Sequence, residues 1–233
     1  MKIKDLTFVN KAVILNNKLI IADIHLGYED AMNKAGVLVP RHMKSEILED
    51  LKGIFDKYGD QLKKVIILGD FKHEFGKINE QEWKDSEEVL GLMKRYVDEI
   101  IITKGNHDVA EGMFLKFGVK LVDYYVDGSD GFFHGDNIFE EVVGDKKIKR
   151  IFAGHGHPSI RIKDRTRSEN YKCYLVGKFK RKDVIILPSF FPLIEGSDVR
   201  DREWEIVDVN KFQAYIINED KEILDFGLVK NIE

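Results

Sequence analysis

Four short apolar stretches in this chain each stop at residues suited to holding a cation, and that recurrence constrains the fold more than any other feature. Leu19-Ile20-Ile21-Ala22 runs into Asp23-Ile24-His25, and Val65-Ile66-Ile67-Leu68 into Gly69-Asp70. Ile100-Ile101-Ile102 leads to Gly105-Asn106-His107-Asp108, and Ile151-Phe152-Ala153 to Gly154-His155-Gly156-His157. A short apolar run closed by Gly or Asp reads as a buried strand. Open α/β sheets gather ligands at the carboxyl ends of their strands. Carboxylates, imidazoles and an amide left at four such ends are therefore expected to meet in one place.

The intervening segments set the class of fold. Residues 6–22 read as a hairpin, with Ala12 to Leu15, a turn at Asn16-Asn17, then Lys18 to Ala22. A short helix is expected over Tyr28 to Lys34. Pro40 then precedes an amphipathic helix in which Met43, Ile47, Leu51, Ile54, Phe55 and Tyr58 keep helical spacing until Gly59 stops it. After the strand Val65 to Leu68, a second helix is predicted from Glu80 to Val97. Asn79 is its N-cap, and Trp83, Leu90, Met93 and Val97 share one face. The strand Ile100 to Thr103 completes a β-α-β-α-β series, hence parallel strands with right-handed crossovers. Beyond a short helix near Met113 to Phe117, strands are predicted at 120–126, 131–134, 149–153, 160–163, 171–176, 184–187, 205–209, 214–217 and 222–226. Strands in sequence without helices imply a second, mostly antiparallel sheet. With no internal repeat or linker, residues 1–233 read as a single domain.

A hydrophobic share of 43% is enough for a substantial core. No segment approaches the ~18 apolar residues of a membrane span, and Met1-Lys2-Ile3-Lys4-Asp5 lacks a secretory apolar region. A soluble cytoplasmic protein without membrane contact is the expectation. The single cysteine, Cys173, excludes an internal disulfide and a thiolate zinc cluster, and its alternating surroundings suggest packing. Charge is unevenly placed. Lys146 to Lys182 holds 13 Lys or Arg against 2 acids, a balance of +11 in a chain of −4, so the remainder carries −15. Such a block around Gly154-His155-Gly156-His157 suggests a polyanionic partner, nucleic acid or a phosphate-rich ligand, or else charges neutralised by neighbouring acids.

Side chains at i and i+2 of an extended segment point the same way, so Asp23 with His25, and His155 with His157, read as pincers. Carboxylate and imidazole donors without thiolates suit Mn²⁺, Fe or Zn²⁺. Asp23, His25, Asp70, Asn106, His134, His155 and His157 are more donors than one ion needs. Two ions sharing one bridging carboxylate would use them all, and paired metals ~3.5–4 Å apart activate water and clamp a phosphoryl group.

The ordered series Asp23-Ile24-His25, Gly69-Asp70, Gly105-Asn106-His107-Asp108, His134 and Gly154-His155-Gly156-His157 resembles the calcineurin-like metallophosphoesterases. Gly36-Val37-Leu38-Val39-Pro40 and Leu187-Pro188-Ser189-Phe190 resemble the archaeal and bacterial subgroup that includes DNA-ligase-associated phosphoesterases. The resemblance implies a four-layer α/β/β/α sandwich of two facing mixed sheets flanked by helices. It implies Asp23, His25 and His157 on a first metal, Asn106, His134 and His155 on a second, and Asp70 between them, with Mn²⁺ the expected ion. His107 would stabilise phosphoryl oxygens or protonate the leaving oxygen, an apt task for an imidazole titrating near ~6.5. Metal-bound hydroxide would be the nucleophile. Together these imply a two-metal phosphoesterase, a phosphodiesterase by preference, acting on nucleotide or nucleic-acid substrates.

One position departs from the family pattern G-D-x-x-D: His73 stands where its second carboxylate falls. That carboxylate steers the catalytic histidine in the family, so here Glu74 or Asp108 is left to substitute, or His73 itself contacts substrate. Arg41 is a second candidate substrate contact, and Lys72 either binds phosphate or is solvated. A rival reading, a non-catalytic scaffold for partners, draws support from His73 and opposition from the full donor set.

Overall fold

The computed structural model describes residues 1–74, 80–108, 111–163, 166–201 and 207–232. Strands that are apolar at every position must be covered on both faces, and the central strands here are of that kind. A first sheet has the order β1 (Lys2–Ile3), β2 (Leu6–Val9), β3 (Ala12–Leu15), β4 (Lys18–Ala22), β5 (Lys64–Leu68), β6 (Glu99–Thr103) and β7 (Lys120–Val122). The first four form an antiparallel meander, and β4 to β7 run parallel. Leu19, Ile21, Val65 and Ile67 face the helices α2 (Met43–Tyr58) and α3 (Glu80–Met93), with Ile47, Leu51, Leu90 and Met93 in the same apolar cluster. Ile20, Ala22, Ile66 and Leu68 face the opposite way.

There they meet the inner face of a second sheet. It comprises β8 (Tyr124–Asp127), β9 (Asp130–Phe133), β10 (Arg150–Ala153), β11 (Pro158–Lys163), β12 (Ser168–Phe179), β13 (Lys182–Ile186), β14 (Ser197–Asp198), β15 (Gln213–Ile217) and β16 (Ile223–Leu228). Its order is β14-β11-β12-β13-β10-β9-β8, with β15 and β16 branching from β12. Phe132, Phe152, Tyr174, Ile185 and Leu187 close the layer between the sheets. The rings of Phe132 and Phe152 stack there at 5.1 Å, and the Tyr174 hydroxyl donates to the carbonyls of Asn10 (2.6 Å) and Ala12 (2.9 Å). The outer face of the second sheet is covered by Val142 and Val143 of α5 (Glu140–Val143) and by Phe212. The short helices α1 (Tyr28–Lys34) and α4 (Glu111–Lys116) follow the first and third site loops. The chain thus forms the expected four-layer sandwich of mixed sheets. Among the described residues no helix is long and apolar enough to cross a membrane.

Several boundaries differ from expectation. The predicted strand over 120–126 is two strands: β7 closes the first sheet, the chain bends at Asp123, and β8 opens the second. The second sheet keeps mostly antiparallel pairs but has a parallel trio, β9, β10 and β13, at its heart. Helix α3 ends at Met93 rather than Val97, because Arg95 and Tyr96 donate to carbonyls three residues back and the winding tightens. Val207 and Asp208 are not strand, and Val209 begins a 3₁₀ turn; Glu205 and the proposed cap Asn79 lie outside the described residues.

Candidate metal centre

The registers Ala22↔Leu68 and Leu68↔Thr103 level the ends of β4, β5 and β6, so the loops that follow leave the sheet at one height. From the other sheet, the ends of β9 and β10 arrive opposite them. Glycine makes that approach possible. A side chain at Gly154 would meet Asp23 Oδ2 at 2.7 Å and Ala22 Cβ at 2.9 Å, while Gly69 (φ +69°) lies directly against the His134 ring. Backbone bonds lock the loops together: Ile24 and His25 donate to the Asp70 carbonyl at 3.0 and 2.9 Å, and the His155 amide donates to Asp23 Oδ2 at 3.0 Å.

Of the seven donors singled out in the sequence, Asp23, His25, Asp70, His155 and His157 have φ between +41° and +61°. Left-handed backbone in residues other than glycine costs of order 1–3 kcal/mol each and persists only where the surroundings over-determine it. The pincer expectation needs correcting on this ground. Residues 23–25 and 155–157 lie outside the strands, with left-handed rather than extended backbone at Asp23, His25, His155 and His157. Asp23 and His25 still converge, but His155 and His157 fall into different groups.

Those groups are Asp23, His25 and His157, and Asp70, His134 and His155; within each, one ligand atom per residue lies within 4.8 Å of the others. His25 Nε2 is 3.2 Å from His157 Nε2, and His134 Nε2 is 3.0 Å from His155 Nδ1. Asn106 joins the second group, its Oδ1 3.2 Å from His134 Nε2. Asp70 stands between the groups. Its Oδ1 accepts from the His107 amide at 3.0 Å, while Oδ2 lies 3.7 Å from His25 Nε2 and 3.4 Å from His134 Nε2. His134 Nδ1 donates to the Leu68 carbonyl at 2.9 Å, which fixes the ring and turns Nε2 toward the group.

The electrostatics suit a divalent ion. Burial pushes His25 down to about 3 and also lowers His155, so both rings present lone pairs at neutral pH. Burial likewise works against the Asp70 carboxylate, but the His134 hydrogen bond and charge hold it well below the usual range. At His134, burial is outweighed by the Asp70 bond and the charges of Asp23 and Asp70, which raise the imidazole to about 10. A pocket whose carboxylates hold a proton on so deeply buried a ring stabilises positive charge, and these oxygen and nitrogen donors match what such ions take.

The steering of His107 also has an answer. Its Nδ1 donates to the backbone carbonyl of His73. The His73 ring stacks on that of His107 (5.2 Å, 23°) and packs edge-on against Tyr28 at 4.7 Å. Asp108 is fully buried and ties two site loops together: Oδ1 accepts from the amides of Phe71 (3.0 Å) and Lys72 (3.4 Å), Oδ2 from Gly105 (3.1 Å). Burial and then the charge of Asp70 push its carboxyl up to about 7. Glu74 is turned outward to Lys34 at 3.1 Å.

Other expectations land elsewhere. Arg41 pairs with Asp30 and lines a cavity of about 200 Å³ with Glu29 and Lys44. Lys72 is neither solvated nor aimed at substrate; it is buried and donates to the Glu74 carbonyl. The basic block is neutralised in part: of its thirteen Lys and Arg, Arg150 pairs with Asp5 and Asp130, Arg161 with Asp201, Lys178 with Asp183 and Lys180 with Glu140. The 189–191 turn was missed as a site element. Phe190 and Phe191 donate backbone bonds to the carbonyls of Ala22 (2.7 Å) and Asp23 (3.1 Å), and the Phe191 ring lies 5.7 Å from that of His25. Lys172 holds this turn through Ser189 Oγ (2.6 Å) and the carbonyls of Ser189 (3.0 Å) and Phe191 (2.5 Å). The signal was available: the turn follows β13 as the other site loops follow their strands.

The family model described as calcineurin-like phosphoesterase matches residues 18–217. Among solved structures, the nuclease MPE of Pseudomonas putida superposes with a TM-score of 0.68 at 18% identity, covering 95% of this chain and 94% of that one. A protein of unknown function from Aquifex aeolicus follows at 0.41 and 19% identity (59% and 77% covered). A predicted phosphoesterase from Streptococcus pneumoniae gives 0.40 at 13% (90% and 95% covered). At 18% identity the Pseudomonas likeness speaks to the fold, and the other two superpose too loosely to add to it. No curated protein matches the chain. With the family model spanning both sheets and every strand end that carries a donor, the protein belongs to the calcineurin-like phosphoesterases and is a metal-dependent phosphoesterase.

Proposed function

We propose that the protein is a two-cation phosphodiesterase acting on nucleotide or nucleic-acid phosphodiesters, with Mn²⁺ the expected ion. Asp23, His25 and His157 would hold one cation, Asn106, His134 and His155 the other, and Asp70 would serve both. The observation that carries this reading is Asp70 Oδ2, which faces His25 Nε2 at 3.7 Å and His134 Nε2 at 3.4 Å, one carboxylate oxygen addressed by both groups. Two ions in such an arrangement supply Lewis acidity toward phosphoryl oxygens and an activated water. The chain's own residues supply the rest. His107, with Nδ1 spent on the His73 carbonyl, offers Nε2–H or its lone pair to the leaving or phosphoryl oxygen. The His73 ring stacked beside it is the candidate contact for a substrate base or sugar.

The preference for a diester rests on the subgroup resemblance of the 36–40 and 187–190 segments. The hairpin β11–β12 springs from the residue after His157 and carries Lys163 and Arg167 exposed, a place for a polynucleotide backbone. Elemental analysis paired with a chromogenic diester in Mn²⁺ tests the core of the reading. Two equivalents and turnover are expected, with Asp70→Asn losing both. Full activity and an unchanged metal complement in that variant would remove the bridging role. A rate on oligonucleotides that falls steeply with salt supports a polynucleotide; flat salt dependence assigns a compact diester instead.

A further inference from the structure

Eight of the thirteen cations in the basic block lie away from the centre, at the end of the second sheet where β10 and β13 begin. Both strands run from that end toward the site loops, and the five residues of β13 at ~3.3 Å each set the two ends ~16 Å apart. Two turns build the far end. Lys182 Nζ pins the loop before β10 by donating to the carbonyls of Asp145 (2.5 Å) and Ile148 (2.7 Å). Beside it the β12–β13 hairpin closes on Lys180-Arg181, since Phe179 pairs with Lys182. Asp183 alone answers both Lys4 and Lys178, Lys180 pairs with Glu140, and Arg150 is covered by Asp5 and Asp130. Among the described residues, exposed Lys146, Lys147, Lys149 and Arg181 pair with no carboxylate; Lys149 reaches only the Lys146 carbonyl, at 2.8 Å. The acids left unpaired at this end are Glu141 and Asp145, and Asp145 already accepts from the Lys147 amide at 2.8 Å. Positive charge is in excess. The hairpin turn is an independent sign. Its φ values, +44° at Lys180 and +68° at Arg181, are left-handed at both positions, as a type I′ turn requires. Such turns favour Asn and Gly, and the β3–β4 and β8–β9 turns place Asn16 (φ +53°) and Gly128 (φ +62°) accordingly. Lysine and arginine are strained there, and strain of this kind gathers at functional sites.

We propose that this end is a second polyanion-binding surface, which holds the phosphate backbone of a polynucleotide whose scissile diester sits at the centre. The inference rests on the nucleic-acid reading above and adds to it a hold remote from the chemistry. A backbone presents phosphates at regular intervals, so unpaired cations on two adjacent turns can meet it without a shaped pocket. The surface differs from the β11–β12 hairpin, which adjoins His157 at the other end of the sheet. A single nucleotide cannot bridge ~16 Å, so only a polymer gains from the far cations.

The test measures binding and cleavage separately. Mn²⁺-loaded protein is titrated into a labelled phosphorothioate duplex of about three helical turns, and anisotropy is followed over a range of salt. The triple variant Lys146→Gln, Lys147→Gln, Arg181→Gln should bind at least ~10-fold more weakly at low salt. Each lost phosphate contact takes ~0.9 from the slope of log affinity against log salt, so the slope should flatten by ~2–3. Hydrolysis of a chromogenic diester should stay at the parent rate. Lys180→Asn with Arg181→Gly supplies the favoured turn sequence, so this variant should melt above the parent and still bind the duplex more weakly. Either variant binding with the parent's affinity and salt slope overturns the surface. So does a parent that ignores the duplex and binds anionic lipid vesicles instead. A parent that grips the duplex through these cations, yet cleaves no diester with two Mn²⁺ bound, would refute the phosphodiesterase reading while upholding the surface.

Discussion

Replacing Asp108 by alanine should loosen the centre without touching a proposed metal donor. The carboxylate accepts two well-formed backbone bonds, from Phe71 at 3.0 Å and Gly105 at 3.1 Å, and a longer one from Lys72 at 3.4 Å. Alanine leaves these amides in a fully buried place with no acceptor. An unsatisfied buried donor costs ~1–3 kcal/mol, so the two good bonds alone put the loss at about 2–6 kcal/mol. For a chain of this size 1 kcal/mol moves the melting point by roughly 2–4 °C, so the metal-free variant should melt at least ~4 °C lower. Asp108→Asn keeps one acceptor oxygen and should fall between parent and alanine variant. Because Phe71 follows Asp70 and Gly105 precedes Asn106, the loss should also weaken Mn²⁺ binding. Calorimetry of the metal-free proteins and a Mn²⁺ titration measure both. If Asp108→Ala melts with the parent, the tie between the loops contributes nothing and the reasoning fails.

His107→Ala should lower kcat by ~10²–10⁴, the usual contribution of a positioned acid or base, while elemental analysis finds the metal complement retained. Lys172→Met removes three bonds from the 189–191 turn behind Asp23 and His25; outer partners of metal ligands are worth roughly 10–100-fold in affinity, and Mn²⁺ binding should weaken on that scale. Asp198 is buried against Arg200, and although burial opposes it, the Arg200 bonds at 2.6 and 2.9 Å carry its carboxyl down to about 2. A carboxylate depressed in the folded state stabilises above its unfolded value of ~3.9 and loses that contribution, about 2 kcal/mol, as pH falls toward 2. Arg200→Met should therefore raise the pH of acid unfolding, followed by circular dichroism.

Much of this fold is written in runs of β-branched and apolar residues. Leu19 to Ala22, Val65 to Leu68 and Ile100 to Thr103 admit little but buried parallel strands, and α2 is bounded by Met43 and Tyr58 as its spacing requires. What escaped reading depends on contacts remote in sequence. Residues 120–126 carry an uninterrupted strand pattern with no Gly or Pro, so nothing local marks the passage from one sheet to the other at Asp123. Lys94 to Val97 keep helical apolar spacing, and only the tightened winding ends α3. Some of the acids that pair with the basic block lie far along the chain. Asp5 is 145 residues from Arg150, and Asp201 is 40 from Arg161. Net charge per segment reports local composition, whereas a folded surface balances charge across strands.

The donors were legible for a different reason from their partition. Asp, His and Asn at strand ends announce themselves by type, because an apolar strand rarely ends on three such residues without a use for them. Which donor joins which group depends on the backbone between them, and the i, i+2 rule presupposes extended chain. At Asp23, His25, Asp70, His155 and His157 the chain is left-handed instead, a conformation that local sequence does not favour and that the packing of Gly69 on His134 and Gly154 on Asp23 enforces. Each such residue reverses the direction of the chain in a single step. His155 can thus turn toward His134 while His157, two residues on, turns toward His25. The strain is the means by which one four-residue loop, Gly154-His155-Gly156-His157, serves both groups. The geometry is dictated by two facing sheets whose strand ends bring these loops together, a constraint that no single stretch of sequence contains.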